Sequence, residues 1–533
     1  EGEGGEQAKE EVQEEEEEED HPSDDEFDDP SVPKGSQDFR IFLAADPSPN
    51  IPIGVLQRCI KITSEPPAGM KANLMRAFKI FNDEPWENSS KQQEFKGILF
   101  SLCFFHASIV ERRKFGAQGW NRAYPFNPGD LCTCVDVLAN NLEDRPKIPW
   151  EDLQYVFGEI MYGGHVTDDL DRVLVAAYLE YLVAPETLEG SELCAGFPCP
   201  PPLTFKEYVQ YIDEACPPES PVLYGLHPNA EINFRTVQGD TLFTVINALA
   251  SGASGGGGGA ASEKVRQTLD EITGSLPESY NLLEIAERLE EDRTPAQHVF
   301  YQECERMNGL VHVMRITLGD LDLGLKGALS MSDKMQQLFD DINLNVVPEV
   351  WSNVAFSSMR PLSSWFQNLL ERNSQLNDFT MELQPPKVVY VSYFFNPNSF
   401  LTAIQQALAM QYSYDLDQMT LVTEVTKKWP DQIDSAAREG SHCFGMFMEG
   451  ARWDMQGTTV DESKMKELYP KMPVVTIKSL PVQKVDYKDL YPCPVYRTQA
   501  RGAGYVCNLH LKTKTLARTW VVGGVALLMD VVE

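Results

Sequence analysis

The fold turns on one block, residues 97–172, and on its two densest runs, CFFHASIVERRKFG at 103–116 and FGEIMYGGHVTDD at 157–169. In the first, Ile98, Leu102, Phe105 and Ile109 recur at helical spacing and define an apolar face. Arg112, Arg113 and Lys114 stand where a helix C-terminus favours positive charge, and Gly116 is a natural stop. Upstream of the second run, Pro149 suits a first helical position, with Glu151 and Asp152 in the first turn. Leu153, Val156, Phe157 and Ile160 then make a buried stripe that Gly163 and Gly164 end. Thr167 is the expected cap of a third helix. Asp168 and Asp169 would lie at its positive end, with Leu170, Leu174, Ala177, Tyr178 and Tyr181 along one face. Three short helices joined by tight turns predict a small helical lid.

The chain has 533 residues, enough for two to four domains with real cores, and 42% of them are hydrophobic. Its net charge of −35 is unevenly spread. Residues 1–29 contain 17 acids against a single lysine, Lys9, with glutamate unbroken from 14 to 19. That stretch repels itself and has almost nothing apolar to bury, so disorder is expected. Acidity argues against nucleic-acid binding, which rests on Lys and Arg neutralising phosphates. It argues equally against these residues gripping an acidic surface.

The 11 cysteines are scattered, with no CxxC and no Cys/His cluster at zinc spacing. Cys132 and Cys134 form a lone CxC on an expected helix. Reduced thiols in a cytosolic compartment are the simplest account. No secretory or transit pattern opens the chain. The most apolar run, 520–532, is too short to span a bilayer, so no membrane insertion is expected.

In chain order, FRIFLAA at 39–45 reads as a single buried strand with no neighbouring sheet. Helices follow over 53–61 and 69–81, split by the Glu65-Pro66-Pro67 breaker. After the lid, residues 184–222 are rich in Pro, Gly and Cys around a short helix near 205–214. Residues 223–385 read as helical. Gly252 to Ala261 is expected to be a flexible excursion, because five consecutive glycines cannot hold a helix. Ser262 and Thr294 can cap the next helices, the second with Pro295 at its first position. Residues 361–376 make an amphipathic helix with Trp365, Leu369 and Leu370 inward. From Lys387 the period shifts to short strands at 388–391, 420–425, 443–448, 474–477, 494–497 and 505–511, interrupted by a helix over 399–412. In the last strand Tyr505, Cys507, Leu509 and Leu511 share a face. A small antiparallel barrel or sandwich is the natural closure.

The same residues carry a family resemblance. CFFHASIVERRKFGAQGWN, YPFNPGDL and FGEIMYGGHVTDDLDR resemble the lid subdomain of the sixth AAA+ module of dynein heavy chains. GLHPNAEI at 225–232 and FMEGARWD at 447–454 resemble the C-terminal domain of that family. AREGS at 437–441 and FNPNSFLTAI at 395–404 are axonemal in form, nearest to outer-arm heavy chains. The resemblance runs from about residue 39 to the end. It implies that the 39–45 strand is a late strand of the module's large α/β subdomain, whose earlier strands lie upstream in a longer heavy chain. The acidic stretch stands where that family would continue a sheet.

The expected fold is therefore α+β and multidomain: a partial AAA+ α/β strand plus an all-α lid, then a helical region followed by a small antiparallel β-barrel. The expected segments are 1–37 acidic and disordered, 38–82 the end of the large subdomain, 83–185 the lid, and 186–222 a Pro/Cys-rich connector. Residues 223–385 and 386–533 would be the helical and barrel parts of the C-terminal domain.

No nucleotide site is expected in these residues. GxxxxGK[ST] is missing, and the glycines at 255–259 lack both the preceding apolar strand and the lysine. His165 with Asp168, Asp169 and Asp171 is better explained by helix capping than by a metal. Arg112 and Arg113 could serve an AAA+ neighbour's phosphates, but a structural ion pair at the helix end is the expected reading. Arg58 is a weaker candidate of that kind, and Arg172 is expected to pair within the lid. Trp120 and Trp453 default to core packing, while Arg452 and Trp453 also suit an exposed strand end. His106, beside Phe104 and Phe105, is expected to be a satisfied core residue. The candidates for an inter-module contact are thus Arg58, Arg112, Arg113, Trp120, Arg172, Arg452 and Trp453. There is no catalytic, cofactor or metal residue among them.

The resemblance implies a non-catalytic ring and coupling element of an axonemal heavy chain, a minus-end-directed microtubule motor of cilia and flagella. ATP and Mg would bind upstream modules. Its partners would be the remaining AAA+ modules, other dynein heavy, intermediate and light chains, and microtubule doublets reached through upstream parts. The alternative is a non-catalytic scaffold that kept this architecture and uses its acidic stretch to recruit a basic partner.

Overall fold

The computed structural model describes residues 40–45, 48, 50–62, 67–81, 91–253, 258–289 and 293–532. The acidic segment lies outside them. Two compact units divide at Glu65/Pro66. In the first, helix α1 (Ile53–Arg58) is short and has no buried residue. Residues 40–45 form no strand, and Ile41, Phe42 and Leu43 are 70%, 90% and 72% exposed. The expected buried strand is corrected here: a strand needs a hydrogen-bonding neighbour, and no described strand lies beside it.

The second unit has two principal cores. The first runs from Met70 to Ala230. At its centre is α3 (Gln92–Glu111), which follows α2 (Met70–Phe78). From Gly97 to Val110 every residue of α3 is buried, so it is a central helix rather than one with a single apolar face. Helix α4 (Pro128–Asp144) is opened by the Asn127 and Asp130 capping box. Helix α5 (Trp150–Tyr155) has Pro149 as its cap and runs into a π turn over Val156–Met161. That wider turn rotates the stripe. Tyr162 becomes fully buried while Ile160, expected inside, is 53% exposed. Helix α6 (Asp169–Leu182) is capped by Asp168, not Thr167: its carboxylate accepts from the N–H groups of Leu170 and Asp171. Hairpin β1 (Glu192–Cys194) and β2 (Phe197–Pro198), with α7 (Phe205–Ala215), packs on the same core.

Helix α8 (Asn229–Ala253) leads into the second core. The expected glycine-rich excursion is corrected in part: Gly252 and Ala253 end α8, and α9 (Gly258–Ser275) begins among the glycines, which places Ser262 inside it rather than at its cap. Residues 254–257 lie outside the described residues. Thr294 caps α10 (Pro295–Leu325), with Gln297 completing the box. Helices α11 (Asp333–Asn343), α12 (Leu362–Glu382) and α13 (Pro397–Tyr412) pack around it.

The strands do not show a closed antiparallel barrel. They form two four-stranded mixed sheets. One is ordered β11 (Tyr505–Lys512), β10 (Leu490–Tyr496), β12 (Ala526–Leu528), β6 (Phe447–Glu449). The other is ordered β3 (Val388–Tyr390), β5 (Ser441–Phe444), β9 (Val475–Pro481), β4 (Met419–Val425). Each contains one parallel pair, β10 with β12 and β3 with β5. The expected strand 443–448 is two strands in different sheets. Gly445, at φ +92°, makes the break, and a Cβ there would collide with the Ser392 hydroxyl. A register shift at Val495/Tyr496 moves the β11 face: Val506 is buried and Tyr505 is 40% exposed. Hairpin β7 (Arg452–Asp454) and β8 (Thr459–Asp461) completes the fold.

Candidate inter-module site

The junction between the two cores is where sequence and geometry converge. Helix α3 ends in a tight turn at Arg112–Phe115, which Gly116 leaves at φ +57°. This points Arg112 inward. It is fully buried, donating from Nε to Gly119 O (2.8 Å) and from Nη1 to the Tyr178 hydroxyl (2.8 Å) and Tyr224 O (2.7 Å). The expected ion pair is replaced by carbonyls and a phenol, because the α3 end faces the interior rather than an acidic neighbour. Arg113 is exposed and, among the described residues, donates to Val110 O and Tyr124 O.

Trp120 packs as expected, with its Nε1 donating to Ile109 O at 3.1 Å and its ring against Tyr124 and Phe126. Beside it, the Asn121 and Arg122 amides and the Tyr124 hydroxyl all donate to buried Asp171. Burial pushes that carboxyl above its ordinary range, against the pull of these donors. Asn121 also accepts from Tyr496 Oη of β10 at 3.2 Å, a direct tie from lid to sheet. Arg172 pairs with Glu159 at 2.8 Å within the lid. His165 bonds Asp130 at 2.9 Å while Asp168 caps α6, and no group of three metal-ligating side chains converges among the described residues. Arg452 pairs with Asp461 across the β7–β8 hairpin, and the neighbouring Trp453 is buried. Arg58 ends α1 in the first unit. The structure therefore brings Arg112 and Trp120 to the junction and leaves Arg113, Arg172, Arg452 and Trp453 at separate places.

The polar groups buried at and beside the junction escaped the sequence reading. Arg501 and Glu449 form a buried ion pair, and Arg501 also donates to Gly524 O at 2.7 Å. Burial works against the Arg501 charge, but Glu449 outweighs it and holds the guanidinium above its ordinary range. Asn233 of α8 donates to Glu449 at 3.3 Å, so the segment after GLHPNAEI meets FMEGARWD through the start of α8. Asn229 clamps the 464–467 loop, donating to Lys464 O and Glu467 O and accepting from the Lys466 amide. The available signal was Glu449 itself, a lone acid closing an apolar run.

A family model for the AAA lid domain of the dynein heavy chain matches residues 95–230, and one for the C-terminal domain of the dynein heavy chain matches 236–529. The chain belongs to the dynein heavy chain family. It is 50% identical over 507 residues to the ciliary dynein beta chain of Tripneustes gratilla, covering 93% of this chain and 11% of that one. Human dynein axonemal heavy chain 17 is 48% identical over 504 residues, with the same shares. The flagellar outer-arm dynein beta chain of Chlamydomonas reinhardtii is 44% identical over 512 residues, again 93% and 11%. The chain thus spans about a tenth of the heavy chains it matches, and the two dynein domains fall on either side of the junction around Arg112 and Arg501.

Proposed function

We propose that this chain is the C-terminal end-piece of an axonemal, outer-arm type dynein heavy chain, a non-catalytic ring and coupling element. The parent would be a minus-end-directed microtubule ATPase in the ciliary or flagellar axoneme, binding ATP and Mg through upstream modules. Its partners would be those modules, other heavy, intermediate and light chains, and microtubule doublets reached through upstream parts. The observation that carries this reading is the 93% coverage by axonemal heavy chains across both domains.

Physical features support a mechanical role. Coupling needs packed elements that move as units; an asparagine clamp and the Asn121–Tyr496 tie cross the junction, and a buried ion pair holds its C-terminal side. Apolar side chains also stand in solvent where further modules would cover them. Val237, Leu242, Phe243, Val245 and Ile246 of α8 are 48–65% exposed. In the first unit, Ile41, Phe42 and Leu43 are likewise exposed apolar side chains. Among the described residues, no helix is long and apolar enough to cross a membrane.

The test is ATP affinity, measured by calorimetry on this chain and on the full-length heavy chain. The heavy chain is expected to bind and this chain is not. Micromolar binding by this chain alone would overturn the proposal.

A further inference from the structure

Within the C-terminal domain, α10 near its end, α11 and residues 348–353 surround an open groove of about 590 Å³. Its floor is apolar: Met335 and Leu338 stand three residues apart on α11, and both are buried, as is Pro348. Leu329 and Val350 line the same groove and are 44% and 45% exposed. The walls are fixed in place. Trp351, fully buried, donates from Nε1 to Thr317 Oγ1 of α10 at 2.9 Å, and the Val346 amide donates to Asp341 O of α11 at 2.9 Å.

Three carboxylates, Asp320, Asp341 and Glu349, line the groove, against the single cation Lys334. None of the three has an ion-pair partner among the described residues. Burial raises the Asp341 carboxyl above its ordinary range, and the like charges of Asp340 and Glu349 raise it further. A cation brought to that wall relieves the repulsion.

An occupant that fits must offer an apolar face to the floor and positive charge to the carboxylates. The walls are helices and a short turn, so an extended peptide would find no strand edge to pair with. A helix satisfies its own backbone and sets apolar and basic side chains side by side at i, i+3 and i+4. Met335 to Asp341 covers about 9 Å of helix rise, room for between one and two turns of an incoming helix. The acidity that attracts such a helix repels nucleic acid and anionic lipid.

We propose that this groove docks a basic amphipathic helix of another polypeptide, its apolar side chains on Met335 and Leu338 and its Lys or Arg side chains against Asp320, Asp341 and Glu349. The carboxylates set which charge is accepted, and the apolar floor holds the helix once it arrives.

The probe is an amidated leucine–lysine peptide patterned as a helix with one apolar face, added to the 533-residue chain at 150 mM KCl. Hydrogen exchange read by mass spectrometry should slow at least threefold in α11 and in residues 348–353. Asp320→Asn/Asp341→Asn/Glu349→Gln, nearly isosteric, should lose that protection. Glu180→Gln/Glu186→Gln/Glu189→Gln removes the same charge from exposed positions on the lid and should keep it. A peptide with glutamate in place of lysine should protect neither segment. The proposal fails if the lysine peptide leaves α11 unprotected, if the groove variant is protected as fully as the parent chain, or if both triple variants lose protection alike.

Discussion

His106 shows what a residue's surroundings decide. It is buried on α3, shares a 3.0 Å hydrogen bond with the Tyr162 hydroxyl, and burial lowers its pKa from 6.5 to about 4. The folded state therefore holds it neutral, while the unfolded chain protonates it near 6.5. Its contribution is complete above pH 6.5 and is lost as pH falls from 6.5 toward 4, on the order of 3 kcal/mol in all. Urea midpoints measured from pH 7 to 4 should fall more steeply for the parent chain than for His106→Asn. Parallel slopes would remove His106 from the account. At the same scale, Glu449→Gln leaves Arg501 charged, buried and short of its partner, with an expected loss of about 3–5 kcal/mol in urea unfolding. The double variant Glu449→Met/Arg501→Met should recover much of it, since it leaves no unpaired charge.

Elements were legible where periodicity alone placed them and illegible where backbone geometry intervened. The ends of α3 and α10 follow from Gly116 and Thr294, local signals that tertiary packing did not override. The π turn after α5 was invisible, because one inserted residue changes which side chains face inward without changing their apolar character. The 443–448 strand failed for a related reason. Its apolar run continues through Gly445, yet at φ +92° that glycine sends β5 and β6 to different sheets. Gly445→Ala should cost about 1–3 kcal/mol, read as a lower Tm, because Ala must adopt that conformation and meet Ser392. An unchanged Tm would show that the two sheets do not depend on this break.

For the whole molecule, two cores are joined by Val521, which packs against both, by Leu170 on the sheet and by a set of polar ties, so the junction should be its adjustable part. Asn229→Ala removes three of those bonds at once. Hydrogen exchange at the Lys466 amide should then accelerate at least tenfold, since its acceptor is gone, while amides at the centre of α3 keep their protection. Equal acceleration throughout would mean that the cores unfold together and that the junction is not a separate unit.

The sequence by itself determined the family, the helical lid, the cap of α10 and the packing of Trp120 and His106. These depend on local order: which residue types recur at which spacing, and which phrases occur in which succession. Only the tertiary structure decided that Arg112 turns inward, that Glu449 meets Arg501 across 52 positions, and that the strands close as two mixed sheets. Those outcomes depend on which distant groups share a desolvated space, and a linear pattern carries no measure of that distance.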